Sequence, residues 1–135
     1  MDKLSPELYA AALVALFTGL MWVPIILNRL AEIGIWTALK NPRPDGRAKS
    51  EWAWRLDNAH RNAIENLVVF APLAIIVHLL GLGNELTAFA ATAYLFARIA
   101  HAFIYTFGVP VLRTIAFAIG FMAQIILAAR IFGLA

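Results

Sequence analysis

Apolar positions along the chain collect into four long runs separated by short polar or breaker-rich stretches. The first, 8–27, is free of charge over 20 residues, which is enough to cross a bilayer as a helix. The second, 67–80, has only 14 residues. It rises roughly 21 Å, short of the ~30 Å hydrocarbon core. It is, however, continuous with the polar stretch from Arg55 to Asn66, and no Gly or Pro lies between Arg55 and Ala71. One helix over 51–80 is therefore predicted, with Asn62, Glu65 and Asn66 at or below the membrane interface. A third run covers 85–107 and a fourth 110–131. Ser5-Pro6-Glu7 reads as a helix start, with Ser at the cap and Pro in the first turn. Pro24 should kink the first span, and helix continues from Asn28 to Ile35. Residues 41–50 form the one extended loop, and Ser50 stands where it can cap the second helix. Gly81 to Asn84 makes a tight turn, and Gly108-Val109-Pro110 breaks the chain between the last two spans. The fold expected is all-α: an integral membrane four-helix bundle in a single domain, 1–135, with spans at about 6–35, 51–80, 85–107 and 110–131.

Composition strengthens this picture. The chain is 62% hydrophobic and 14% charged, outside the soluble range of roughly 45–50% apolar and 25% charged. The net charge of +3 could suggest nucleic acid, but its distribution argues otherwise. Of 11 Lys and Arg, seven lie between Arg29 and Arg61, and the turn at 81–84 carries none. By the positive-inside rule, loops 36–50 and 107–111 are expected in the cytoplasm and both termini on the opposite side. A cleaved signal peptide, with Lys3 as its basic end, fits poorly: the apolar run is long and no A-x-A site follows it. Trp22, Trp36, Trp52 and Trp54 are expected to pack or to sit in an interfacial belt. Cysteine is absent, so a sulfur nucleophile has to arrive with a ligand.

Candidate chemistry lies on three helices. On the second, Arg61 and Glu65 stand four apart, a spacing suited to an ion pair, and Asn58, Asn62 and Asn66 form a parallel row. On the third, Arg98, His101 and Tyr105 fall at i, i+3 and i+7, one stripe on an otherwise apolar span. Arg98 lies roughly 15 Å from the helix end, so a protein partner is expected for it. Glu65 is the carboxylate deep in another span, and a structural Glu65–Arg98 pair is one expectation. Arg113 and Thr114 open the fourth helix, with an interfacial, topology-setting arginine as the plainer role for Arg113. Gln124, at mid-span, suggests an interhelical hydrogen bond. Together these groups are donor-rich and gather toward the cytoplasmic half. They suit a small polyanionic, zwitterionic ligand beside an apolar wall open to lipid. No metal centre is expected from this residue set, and no Ser-His-Asp arrangement or phosphate loop is present.

The run Ala59-His60-Arg61-Asn62-Ala63-Ile64-Glu65-Asn66, followed by Arg98-x-x-His101-x-x-x-Tyr105 and Pro110-x-x-Arg113-Thr114, resembles the MAPEG family, the membrane-associated proteins in eicosanoid and glutathione metabolism. The resemblance covers nearly all of the chain. It implies a homotrimer of four-helix subunits with glutathione between neighbours. Arg61, Asn62 and Glu65 match the family's second-helix glutathione positions, and Arg98, His101 and Tyr105 match those of the third helix. Arg113 matches the arginine that stabilises the glutathione thiolate, with Thr114 beside it, and Arg29 stands near a first-helix arginine. Ala63 replaces a frequent Asp, Asn58 replaces an Arg of prostaglandin synthase, and Phe117 stands near a Tyr of that enzyme. These departures bear on eicosanoid specificity more than on thiol binding.

The resemblance implies a glutathione-dependent transferase or peroxidase in which a fixed guanidinium favours the thiolate for attack on a lipophilic substrate from the bilayer. In that scheme Arg113 acts on the thiol, with Thr114 or Tyr105 donating a hydrogen bond. Arg61 and Arg98 hold the carboxylates of glutathione, and Glu65 holds its ammonium. The alternatives are a non-catalytic family member that binds lipid or a partner protein, and a small channel or transporter subunit. Against a channel, the polar residues cluster in one half rather than lining a whole span.

Overall fold

The computed structural model describes residues 4–135; Lys3, the basic residue of the signal-peptide reading, lies outside them. Among the described residues six helices follow one another: α1 Pro6–Leu20, α2 Trp22–Ile33, α3 Ile35–Ala38, α4 Glu51–Leu79, α5 Glu85–Phe107 and α6 Pro110–Ile131. Among the described residues there is no strand. Four helical segments are long and apolar enough to cross a membrane: Pro6–Ile33, Glu51–Leu79, Glu85–Phe107 and Pro110–Ile131. The protein is an integral, multi-pass membrane protein built as an all-helical bundle.

Local chemistry explains where each helix begins and ends. Ser5 caps α1 by accepting from the Leu8 amide at 3.3 Å, with Pro6 in the first turn. The break between α1 and α2 falls at Met21. A proline ring collides with the carbonyl four residues before it; for Pro24 that carbonyl belongs to Leu20, where α1 stops. Gly34, at φ 77°, ends α2, two residues inside the expected 6–35 limit, because this left-handed conformation favours glycine. Asn84 and Thr87 form a reciprocal capping box at the start of α5, and Gly108, at φ 76°, ends that helix before Pro110 opens α6.

The 39–50 loop is drawn back onto α2 by one carboxylate. Glu32 accepts from the Lys49 and Ser50 amides at 3.0 and 2.9 Å, from the Ser50 hydroxyl at 2.8 Å and from Asn28 Nδ2 at 2.9 Å. Ser50 therefore stands at the N-cap of α4 without a side-chain capping bond. Its hydroxyl is engaged by a charged acceptor, and hydrogen bonds to charged groups are the stronger kind.

α5 packs against α1, α4 and α6. Phe70, Tyr94, Leu127, Val14 and Val77 fill the main core, with Ala10, Ala74, Ala90, Ala91 and Ala123 letting the helices approach closely. Phe70 and Tyr94 stack with centroids 3.7 Å apart. A second cluster, of Met21, Leu56, Ala59, Ala63 and Ala102, binds the 39–50 loop end of the bundle. The outside carries large apolar side chains such as Leu16, Val68, Phe89, Phe96 and Ile115, as a lipid-facing surface requires.

Candidate functional site

The site is built outward from the α5 stripe. Arg98 and His101 are only 2% and 4% exposed, while Tyr105, one turn further on, is half-buried. Arg98 passes Gly120 on α6, where a methyl group would lie in ordinary contact, 3.6 Å from both Arg98 Cδ and the Tyr94 ring. Arg98 Nη2 donates to Asn62 Oδ1 at 2.8 Å. Its Nε and Nη1 are buried with no hydrogen-bond partner, as is Nδ1 of His101. The imidazole and the Tyr105 ring stand 5.6 Å apart. The Arg113 guanidinium carbon lies 5.0 Å from the Tyr105 ring centroid, a cation–π arrangement. His101 is within electrostatic reach of both Arg98 and Arg113. Asn62, Arg98, His101, Tyr105 and Arg113 thus form one connected wall, and Thr114 is exposed beside Arg113.

The expected Glu65–Arg98 pair does not form. Residues three apart on a helix point about 60° away from each other. Asn62 faces α5, whereas Glu65 is exposed on the outside of the bundle, with no ion pair among the described residues. Nor do Arg61 and Glu65 pair. Arg61 reaches back to Asp57 at 3.3 Å, because an acid preceding a base by four residues is the more favourable orientation on a helix. The Arg61 side chain is 72% exposed, so this contact adds little stability.

Arg61 instead borders a cavity of about 610 Å³ between α2, the 43–49 loop and the first turns of α4. Arg29, Arg43, Arg47 and Lys49 also line it, together with Trp22 and Trp54, and the Arg47 guanidinium lies over the Trp54 ring at 5.2 Å. Arg29 is steadied by the Gly46 carbonyl, to which its Nη1 donates at 3.3 Å. The structure therefore divides the candidate residues into two groups. Arg98, His101, Tyr105 and Arg113 share one wall; Arg29 and Arg61 share a basic cleft; Asn62 lies next to Arg61 in the chain but turns to the first group. Glu65 stands apart from both. Among the described residues no three His, Cys, Asp or Glu side chains are grouped to hold a metal ion.

The interhelical hydrogen bond expected at Gln124 forms, and the partner that the sequence left unnamed is Asn66. Gln124 Nε2 donates to the Asn66 carbonyl at 3.2 Å and to its Oδ1 at 3.4 Å. Asn66 Nδ2 donates in turn to the Asn62 carbonyl at 2.9 Å. The four-residue spacing of Asn58, Asn62 and Asn66 was the visible signal; that Gln124 meets the end of this row was not.

Among curated proteins none matches the chain in sequence. The sequence model of the MAPEG family matches residues 7–133, nearly the whole length over which the four spans and both groups of candidate residues are distributed. The chain belongs to the MAPEG family.

Proposed function

We propose that this protein is a membrane-bound glutathione-dependent transferase or peroxidase. The observation that carries this reading is Arg98: a guanidinium 2% exposed, with two buried nitrogens unpartnered and no carboxylate in ion-pair distance among the described residues. A buried charge of this kind is costly unless an anion completes it. Glutathione supplies two carboxylates and a thiol, and the open nitrogens of Arg98 and His101 suit such a donor-hungry ligand.

In this mechanism Arg98 and Arg61 hold the carboxylates and Glu65 the ammonium. Arg113, fixed over Tyr105 at the edge of the wall, lies where a thiol can approach. A free thiol with a pKa of about 8.5 is mostly protonated at neutral pH. A fixed positive charge in a low-dielectric site favours the thiolate, which is the nucleophile. Tyr105 or Thr114 donates a hydrogen bond to the sulfur. With an electrophile from the bilayer, the new carbon–sulfur bond displaces a leaving group or adds to an activated double bond. With a hydroperoxide, the thiolate attacks the terminal oxygen and an alcohol leaves; a second glutathione thiol then attacks the sulfenic sulfur, the S–O bond breaks, and disulfide and water are formed.

Arg61 and Glu65 point away from the Arg98 wall, so within one chain the ligand cannot meet all of these groups. This supports a homotrimer in which one subunit's Arg61 and Glu65 face a neighbour's Arg98, His101 and Arg113. The basic 39–50 loop supports a cytoplasmic placement for this end of the bundle.

Ultraviolet difference titration of the detergent-purified protein with glutathione tests the proposal. A saturable thiolate band is expected, and it should disappear in Arg113→Ala together with about 100-fold in turnover. Saturable binding without a thiolate band would assign a non-catalytic, ligand-binding role. No binding at all would overturn the reading.

A further inference from the structure

We propose that Asn66 and Gln124 are positioning residues for the anion site at Arg98. This inference rests in part on the glutathione reading above, though its geometry does not. The hydrogen bonds linking these four residues cross three helices. Gln124 Nε2 on α6 donates to the Asn66 backbone carbonyl at 3.2 Å and to its Oδ1 at 3.4 Å, and Asn66 Nδ2 on α4 donates to the Asn62 backbone carbonyl one turn earlier at 2.9 Å. Arg98 on α5 donates to Asn62 Oδ1. Asn66 Nδ2 also stands 3.4 Å from that same oxygen, so two donors converge on it.

The orientation of Asn62 decides what Arg98 can do. A carboxamide carries an acceptor and a donor of nearly the same size, and either can be turned toward a neighbour. Arg98 offers donors alone, so Asn62 must present its oxygen; its NH₂ group would leave donor facing donor inside the bundle. Nothing in Asn62 itself selects that orientation. Arg98 and Asn66 select it together, Asn66 by placing its own NH₂ as a second donor beside the Asn62 oxygens. Gln124 holds Asn66 in turn by donating to the Asn66 oxygens, which leaves the Asn66 NH₂ directed at Asn62. With Nη2 of Arg98 held in this way, Nε and Nη1 remain buried and unpartnered, available to an anion.

Gln124 is 6% exposed; it is linked to Arg98 by this chain of amides and also lies beside Tyr94, one turn before Arg98 on α5. It touches neither the proposed ligand nor Arg113. Loss of its donor should therefore weaken glutathione binding while leaving the chemical step intact. Gln124→Met conserves length and is at home in a spanning helix; Asn66→Ala breaks the next link.

Two measurements test the proposal. In ¹⁵N-labelled protein in micelles, the Nε signal of Arg98, assigned by its loss in Arg98→Met, should shift or broaden in both variants without any ligand. An unchanged signal in both overturns the proposal. In glutathione titrations both variants should raise Kd and KM about tenfold with kcat within twofold. Gln124→Met should add nothing further in an Asn62→Ala background, because residues acting through one shared partner are not additive. An equal effect in both backgrounds means that Gln124 is merely structural and overturns the proposal. If the Arg98 signal shifts but wild-type protein binds no glutathione, positioning stands and the glutathione reading falls.

Discussion

The two ends of the bundle treat buried polar groups in opposite ways. At the end formed by the 81–84 turn, side chains are tied to the protein's own backbone and to one another. Glu7, 1% exposed, accepts from the Thr87 hydroxyl at 2.6 Å, and Thr87 completes the cap with Asn84. Arg130 donates to the carbonyls of Leu82 and Ala135, each at 2.9 Å. One Glu7 oxygen lacks a partner, but it is shut against the turn: a methyl group on Gly83 would come within 3.6 Å of it. At the other end Arg98 and His101 keep three buried nitrogens unpartnered, and Arg61 and Glu65 face outward. Polar groups at the first end join helices; at the second Arg98 also joins α5 to α4 through Asn62, yet two of its nitrogens stay unpartnered. A buried charge is thus read by what its neighbours leave undone rather than by its depth.

Substitutions at the two ends should separate these roles. The largest effect is expected from Arg98→Met. It should raise the Kd for glutathione about 10- to 100-fold, since a hydrogen bond to a charged group contributes about 1.5–3 kcal/mol. Its thermal midpoint should not fall, because an apolar side chain of similar length replaces an incompletely paired buried charge. Difference titration and thermal unfolding together check this, and a lowered midpoint with unchanged Kd would place Arg98 with the structural groups. Thr87→Val makes the converse test. It removes the hydroxyl half of the capping box and the Glu7 bond while the Asn84 side-chain cap remains, at about 1–2 kcal/mol of stability, and should leave glutathione affinity unaltered. The smallest effect is expected from Gly120→Ala. The new methyl would meet Arg98 and Tyr94 at ordinary van der Waals distance, and alanine is favoured over glycine in a helix by up to about 1 kcal/mol. Stability should hold or rise slightly with Kd unchanged; a large loss of affinity would show that Arg98 needs more room than the side chain now occupies.

Much of the architecture is legible in the residue pattern because its signals are local. Pro24, Gly81, Asn84, Gly108 and Pro110 act on backbone within a turn of themselves, and the structure shows helix breaks or caps at each. The α5 stripe is legible for the same reason, since i, i+3 and i+7 share a face whatever surrounds the helix. Which α4 residue meets that stripe is not local. Asn62 and Glu65 lie on adjoining faces, and the choice depends on how α4 is turned about its axis. Close packing of Ala59 and Ala63 in the second core cluster sets that turn, and it comes from α1 and α5 rather than from α4 itself. Ser50 teaches the same lesson: its sequence context marks a helix cap, but Glu32, 18 positions earlier, claims its hydroxyl.

The brevity of the turn between α4 and α5 bears on how the protein enters a membrane. Leu79 ends one helix and Glu85 begins the next, so the two spans can insert together as a hairpin. An arginine at the centre of a lone span costs about 2.5–3.5 kcal/mol in insertion experiments. Asn62, the acceptor that Arg98 uses, is made first and travels on the preceding arm of the same hairpin. The least lipid-compatible residue of the third span therefore arrives with a polar companion already alongside it, before α6 has been synthesised.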